Sequence, residues 1–145
     1  MEDTHIFSSS SISSTVRASL DYGDDLFVAA GVTLGNTQGT AVTSVHSDTF
    51  GHRAYIDGAL IGAYVGIRLG IDGIGSDNAL IVRSTGQIIG MNTYGASIHG
   101  HSSYVENAGY IYGGIVGLQI ATSQNQYFTS VIINSGTIEG RDEGI

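Results

Sequence analysis

Arg68, Asp72 and Asp77 lie within one short stretch. They are the best-placed grouping in the chain for acid/base work on a sugar, where a carboxyl moves a proton beside a cation that holds the substrate. Asp72 and Asp77 also stand in the run Asp72-Gly73-Ile74-Gly75-Ser76-Asp77-Asn78-Ala79 as candidate oxygen ligands for calcium. A solvated Gly-Asp loop explains the same run. The acidic turn Asp21-Tyr22-Gly23-Asp24-Asp25 carries the same two readings. His99 and His101 share a face if extended, and His46 and His52 flank the corresponding loop two coils earlier. A metal needs three or four ligands converging within about 2 Å of the ion, whereas two rungs of separation is about 10 Å. These histidines are therefore expected as exposed loop residues.

The elements that position these groups repeat. A GxxxG frame occurs at Gly31/Gly35, Gly58/Gly62, Gly86/Gly90, Gly109/Gly113 and Gly136/Gly140, advancing by 27, 28, 23 and 27 residues. A period in this range indicates a solenoid. Aligned on the first glycine, Phe27, Ala54, Val82, Val105 and Ile132 share one column. Thr33, Leu60, Ile88, Ile111 and Ile138 share another, and Ala29, Ile56, Ser84, Asn107 and Asn134 a third. With alternate residues facing one side, these columns read as the inward faces of two strands bent at a glycine that tolerates positive φ. A third apolar run follows in each coil, as in Gly66-Ile67-Arg68-Leu69 and Gly117-Leu118-Gln119-Ile120. The fold expected is all-β, a parallel β-helix of about five coils with three short strands each. Residues 1–24 are expected as a lead-in or cap and residues 25–145 as the repeats. Asn107 and Asn134 then lie over one another, either as a hydrogen-bonded ladder or as caps of their own turns.

One position beyond the inward column come Leu34, Ile61, Ile89, Tyr112 and Glu139. Alternation turns this stripe outward, and four of its five members are apolar. Such exposed stripes mark interfaces, unless the inward assignment is shifted or another segment covers them. Lysine is absent, and the arginines do not share a column with an acid pair. A non-enzymatic chain is expected, or on this fold a polysaccharide lyase or epimerase-like enzyme.

The chain has 145 residues, no cysteine, no proline and a net charge of −8. Lack of proline suits strands whose N–H groups are all needed in ladders. The charge opposes nucleic acid and anionic membranes, and no apolar run is long enough to span a bilayer. The start lacks the basic and apolar regions of a signal peptide. At the other end the chain stops partway round a coil, which is expected to leave an end open for head-to-tail stacking of another copy.

The phrases Val28-Ala29-Ala30-Gly31-Val32-Thr33-Leu34 and Ile133-Asn134-Ser135-Gly136-Thr137-Ile138-Glu139-Gly140, with Gly144-Ile145 following, resemble coils of large bacterial exoproteins. Similar NxGxIxG runs occur in autotransporter-like adhesin passenger domains and in β-helical segments that precede the calcium-binding repeats of RTX proteins. The resemblance covers about residues 25–145, and its motif belongs to the coil corner. It implies a right-handed β-helix, secreted or displayed on the cell surface, acting as a stalk, adhesin or assembly module. The partners implied are further copies of the chain or a glycan. Residues 72–79 are similar to a single RTX nonapeptide, with Asp72 in place of its first glycine; calcium in such repeats sits between successive turns, so one copy supplies half a site. The lack of an N-terminal signal, a tandem GGxGxDxUx array and an outer-membrane barrel segment in this sequence departs from that pattern, and the export route expected needs no signal peptide.

Overall fold

Apolar residues alternate along strands only three to six residues long, so no strand pair alone can form a core. Stacking solves this. In the computed structural model, which describes residues 3–45, 51–71, 77–121 and 129–145, all regular elements are short strands. The first rung is β1 (Thr4–Phe7), β2 (Ser11–Ser13) and β3 (Ala18–Leu20), and the second is β4 (Asp25–Val28), β5 (Thr33–Asn36) and β6 (Val42–Ser44). The third is β7 (Arg53–Ile56), β8 (Ala59–Gly62) and β9 (Ile67–Leu69); the fourth is β10 (Ala79–Val82), β11 (Gln87–Gly90) and β12 (Tyr94–His99). The fifth is β13 (Tyr104–Asn107), β14 (Tyr110–Gly113) and β15 (Val116–Ala121), with β16 (Val131–Asn134) and β17 (Thr137–Gly140) above it. Corresponding strands of successive rungs pair in parallel, giving three sheets in the orders β1-β4-β7-β10-β13-β16, β2-β5-β8-β11-β14-β17 and β3-β6-β9-β12-β15. The fold is a parallel β-solenoid with three strands per coil.

The core is the stack of inward columns. Leu26, Ala54, Leu80 and Val105 are in register on the first sheet. Leu34, Leu60, Ile88 and Ile111 align on the second, and Val42, Ile67, Ala96 and Leu118 on the third. All are buried. Asn107 extends the column of Val28, Ile56 and Val82. Its Nδ2 donates to Asn134 Oδ1 (2.8 Å) and to the Thr137 carbonyl (3.1 Å). Its Oδ1 accepts from the Gly109 amide (3.1 Å). The side chain thus makes the rung-to-rung bond and also caps its own turn.

Three sequence expectations need correction. Thr4 to Leu20 form a rung in register with the next one, rather than lying outside the repeat. In the second rung the column partners of Ala54, Ile56 and Leu60 are Leu26, Val28 and Leu34, not Phe27, Ala29 and Thr33; in the fourth rung Val82, not Ser84, aligns with Asn107. The cause is turn length. The first turn spans two residues in the third and fifth rungs and four (29–32 and 83–86) in the second and fourth, so alignment on glycine slips the preceding strand. Gly31 lies one residue before the register position, which Val32 holds. The amide of Ala59 donates to Val32 O at 2.7 Å.

The glycines also serve a different purpose from the expected one. Of the five first-corner glycines only Gly31 has positive φ (77°). A Cβ on Gly58, Gly86, Gly109 or Gly136 would lie 2.2–2.3 Å from a carbonyl oxygen of the rung below. Close approach of backbones selects glycine there. Gly109→Ala should therefore cost about 3 kcal/mol or more through a backbone clash. Gly31→Ala has open space around it and should cost only the positive-φ penalty of about 1–2 kcal/mol. Asn107→Ala strands the Gly109 amide and the Thr137 carbonyl, at about 1–3 kcal/mol. Melting temperatures of the three variants check this order.

Candidate functional site

On the second sheet the outward column is Ile12, Gly35, Ile61, Ile89, Tyr112 and Glu139. Leu34, expected in this stripe, is instead fully buried in the core; the register shift puts Gly35 outside in its place. Ile61, Ile89 and Tyr112 lie on the outer face and are half-buried by their neighbours. Ile12 is 64% exposed, and Met91 on the adjoining turn is 61% exposed. Because Gly35 has no side chain, the stripe has a notch, over which the Ile12 side chain leans. A groove of 200 Å³ opens there, bounded by Ile12, Gly35, Thr37, Ile61, Ala63 and Met91.

Beyond the notch stands an aromatic ridge. The Tyr110 and Tyr112 rings are stacked at 6.4 Å and 9°, and the Tyr110 hydroxyl donates to Glu139 Oε2 at 2.8 Å. That bond, with a smaller contribution from burial, raises the Tyr110 pKa. The phenol stays protonated, and the bond ties the Tyr110 ring to the next rung.

The first sheet carries a second outward apolar column, missed from the sequence: Ile6, Phe27, Tyr55, Ile81, Glu106 and Ile133. The slipped alignment would have mixed in Val28 and Arg83 and hidden it. Allowing the first turn to vary by two residues reveals it. The third sheet behaves differently, since its outward column is Ser19, Thr43, Arg68, Ser97 and Gln119. There Ser97 Oγ donates to Gln119 Oε1 (3.0 Å) and lies 2.9 Å from His99 Nε2, while Gln119 Nε2 donates to the Tyr94 hydroxyl (3.4 Å). Ser97 thus bridges Gln119 and His99 on this face.

The remaining candidates separate. His46 and Asp72 lie outside the described residues. Asp77 is exposed in a positive-φ conformation (60°), with its amide bonded to His101 O. Among the described residues no three His, Asp or Glu side chains are grouped to hold a metal ion. In the acidic turn, Asp24 is committed within the protein: it accepts from the amides of Asp3 and Asp21, each at 2.9 Å, and lies 3.0 Å from His5 Nε2. His52, expected in an exposed loop, is fully buried. It belongs to a polar inward column with Asp24, Asn78 and Ser103, each one residue before a first-sheet strand. Its amide donates to Asn78 Oδ1 (3.0 Å), and Asn78 Nδ2 donates to the His99 carbonyl (2.8 Å). His52 Nδ1 lies 3.1 Å from the Asp24 carbonyl. Since a carbonyl only accepts, the proton is on Nδ1, and Nε2 is buried without a partner.

Comparison of the chain with protein-family models, curated proteins and solved structures gives no match.

Burial pushes the His52 pKa below the ordinary 6.5, outweighing the Asp24 carbonyl and nearby carboxylates that pull it up. A histidine that binds its proton less readily when folded favours the folded chain above 6.5, and that advantage is lost as pH falls below it. For Asp24, burial alone would raise the pKa; the two amides and His5 outweigh it and hold the carboxyl below 3.8. Its contribution persists until the pH falls through that lowered value. Melting temperature should thus fall from about pH 6.5 downward. His52→Gln should lower stability at pH 7 but flatten the decline between pH 7 and 5, as thermal melts at both values would show.

Proposed function

We propose that this chain is a non-enzymatic structural module of a secreted or surface-displayed bacterial protein, acting through lateral contacts of its outward apolar sheet faces. The observation that carries this reading is the contrast between faces. Two outward columns are apolar or aromatic along most of their length, while the third, built by the same repeat, is polar. Rows of side chains that alternation turns to solvent have no folding reason to be apolar, and contiguous patches of this kind mark interfaces.

A glycan ligand is the second reading, favoured by the Tyr94, Ser97 and Gln119 network with Arg68 in the adjacent rung. Hydroxyl and amide groups beside a guanidinium suit sugar hydroxyls.

Light scattering over a hundredfold concentration range separates these. Lateral contact predicts a mass that rises with concentration and falls to the monomer with Ile89→Asp, while Thr43→Asp on the polar face changes nothing. Open-ended growth abolished by Ile132→Asp instead identifies stacking of coil ends. A constant monomer that binds a glycan, with binding lost in Arg68→Ala, selects the second reading.

A further inference from the structure

We infer that the first-sheet face carries, over its first three rungs, a site for the dipolar head of a free α-amino acid, built by Thr4, Asp25 and Arg53. The inference stands apart from the lateral contacts above and from the third-sheet network. It follows from two opposite charges that lie side by side and leave each other unpaired.

The first strands of these rungs are in register, with Thr4 opposite Asp25 and Asp25 opposite Arg53. The next residues, Leu26 and Ala54, are buried in the core, so alternation turns Asp25 and Arg53 outward. A hydroxyl, a carboxylate and a guanidinium thus follow one another up one column, on strands about 4.8 Å apart. Asp25 is half-buried, and Thr4 and Arg53 are exposed. Among the described residues no ion pair joins Asp25 to Arg53. Instead both line an open groove of 180 Å³ with Asp3, Thr4, Gly23 and Gly51. The neighbouring Asp24 is taken up by two backbone amides and His5, which leaves Asp25 to face the groove.

The floor of the groove is backbone. The residue two before each first-sheet strand has positive φ in the second to fifth rungs: Gly23 (80°), Gly51 (30°), Asp77 (60°) and Ser102 (54°). The upper two show that this conformation accepts a side chain. Glycine stands there only in the second and third rungs, which are the rungs of Asp25 and Arg53. Above them the charged column gives way to Ala79 and Tyr104. The bare floor and the opposite charges therefore coincide.

Charge selects the ligand. A carboxylate only accepts hydrogen bonds and a guanidinium only donates them. A simple cation drawn to Asp25 meets Arg53, and a simple anion drawn to Arg53 meets Asp25. A ligand with an ammonium and a carboxylate on one carbon satisfies both: the ammonium donates to Asp25 and the Thr4 hydroxyl, and the carboxylate accepts from the Arg53 fork. No aromatic ring, Leu, Ile or Val lines the groove, so the C–H face of a sugar finds no surface there. The amino acid's own side chain projects to solvent, and recognition is of the head group. Bonds this exposed are screened by water, so the Kd should lie in the millimolar range and rise with added salt.

The test is an NMR titration of the full chain with L-alanine, N-acetyl-L-alanine, which lacks the ammonium, and L-alanine methyl ester, which lacks the carboxylate. L-alanine should bind, and each blocked form should bind about tenfold more weakly or worse. Arg53→Gln should leave L-alanine no better than its methyl ester, and Asp25→Asn should leave it no better than the N-acetyl form. Gly51→Ser, which gives the third rung the residue found at the same place in the fifth, should weaken binding about tenfold in a chain that still folds. Equal binding of the three compounds overturns the dipolar site. So does the absence of any shift with L-alanine up to about 100 mM, or binding that survives Arg53→Gln and is lost in Arg68→Ala.

Discussion

Backbone hydrogen bonds between rungs set the spacing on which everything else depends. Parallel strands must lie about 4.8 Å apart and in register, so each coil repeats the path of the one below at the corners where carbonyls and turns nearly touch. A Cβ at Gly90 or Gly113 would come within 1.7 Å of the carbonyl of the residue that follows the turn. From the third rung upward these corners take glycine, with Asn36 and Ser13 at the same position in the second and first rungs, and the rungs differ in the length of their turns. The solenoid keeps its inward columns through that spacing.

The same spacing makes a polar interior workable. Asn107 and Asn134 occupy inward positions that elsewhere hold Val28, Ile56 and Val82. A buried amide costs little when each of its groups finds a partner, and a 4.8 Å repeat delivers that partner from the next rung. The corner column of Asp24, His52, Asn78 and Ser103 uses the same logic less completely. Asp24 and Asn78 are satisfied by amides and carbonyls, whereas His52 Nε2 and Ser103 Oγ are not. This corner is where acid should first loosen the stack.

Outside, the three sheets are chemically distinct although one repeat builds them all. The third presents Arg68, Ser97 and Gln119 in a hydrogen-bonded surface; the first and second present isoleucine and aromatic rings. On the second sheet one column runs Ile12, Gly35, Ile61, Ile89 and Tyr112.

The sequence by itself determined the architecture. Spacing of the GxxxG frame, alternation within short runs and the absence of proline were enough for a three-stranded parallel coil, because those features answer to local backbone geometry. Tyr112, Ile89 and Ile61 were legible as an outward stripe for the same reason, since their coils begin alike after the glycine. Register before the glycine was not legible. A two- or four-residue turn leaves the next strand's pattern unchanged but moves the previous strand by one or two positions, and a one-residue slip exchanges inside for outside. Only the tertiary pairing decided that Leu34 is core and Gly35 a notch, that Phe27, Tyr55 and Ile81 line a second face, and that His52 is buried. Those outcomes depend on which residue of a neighbouring rung accepts each hydrogen bond, a contact some 25 residues distant that local pattern does not encode.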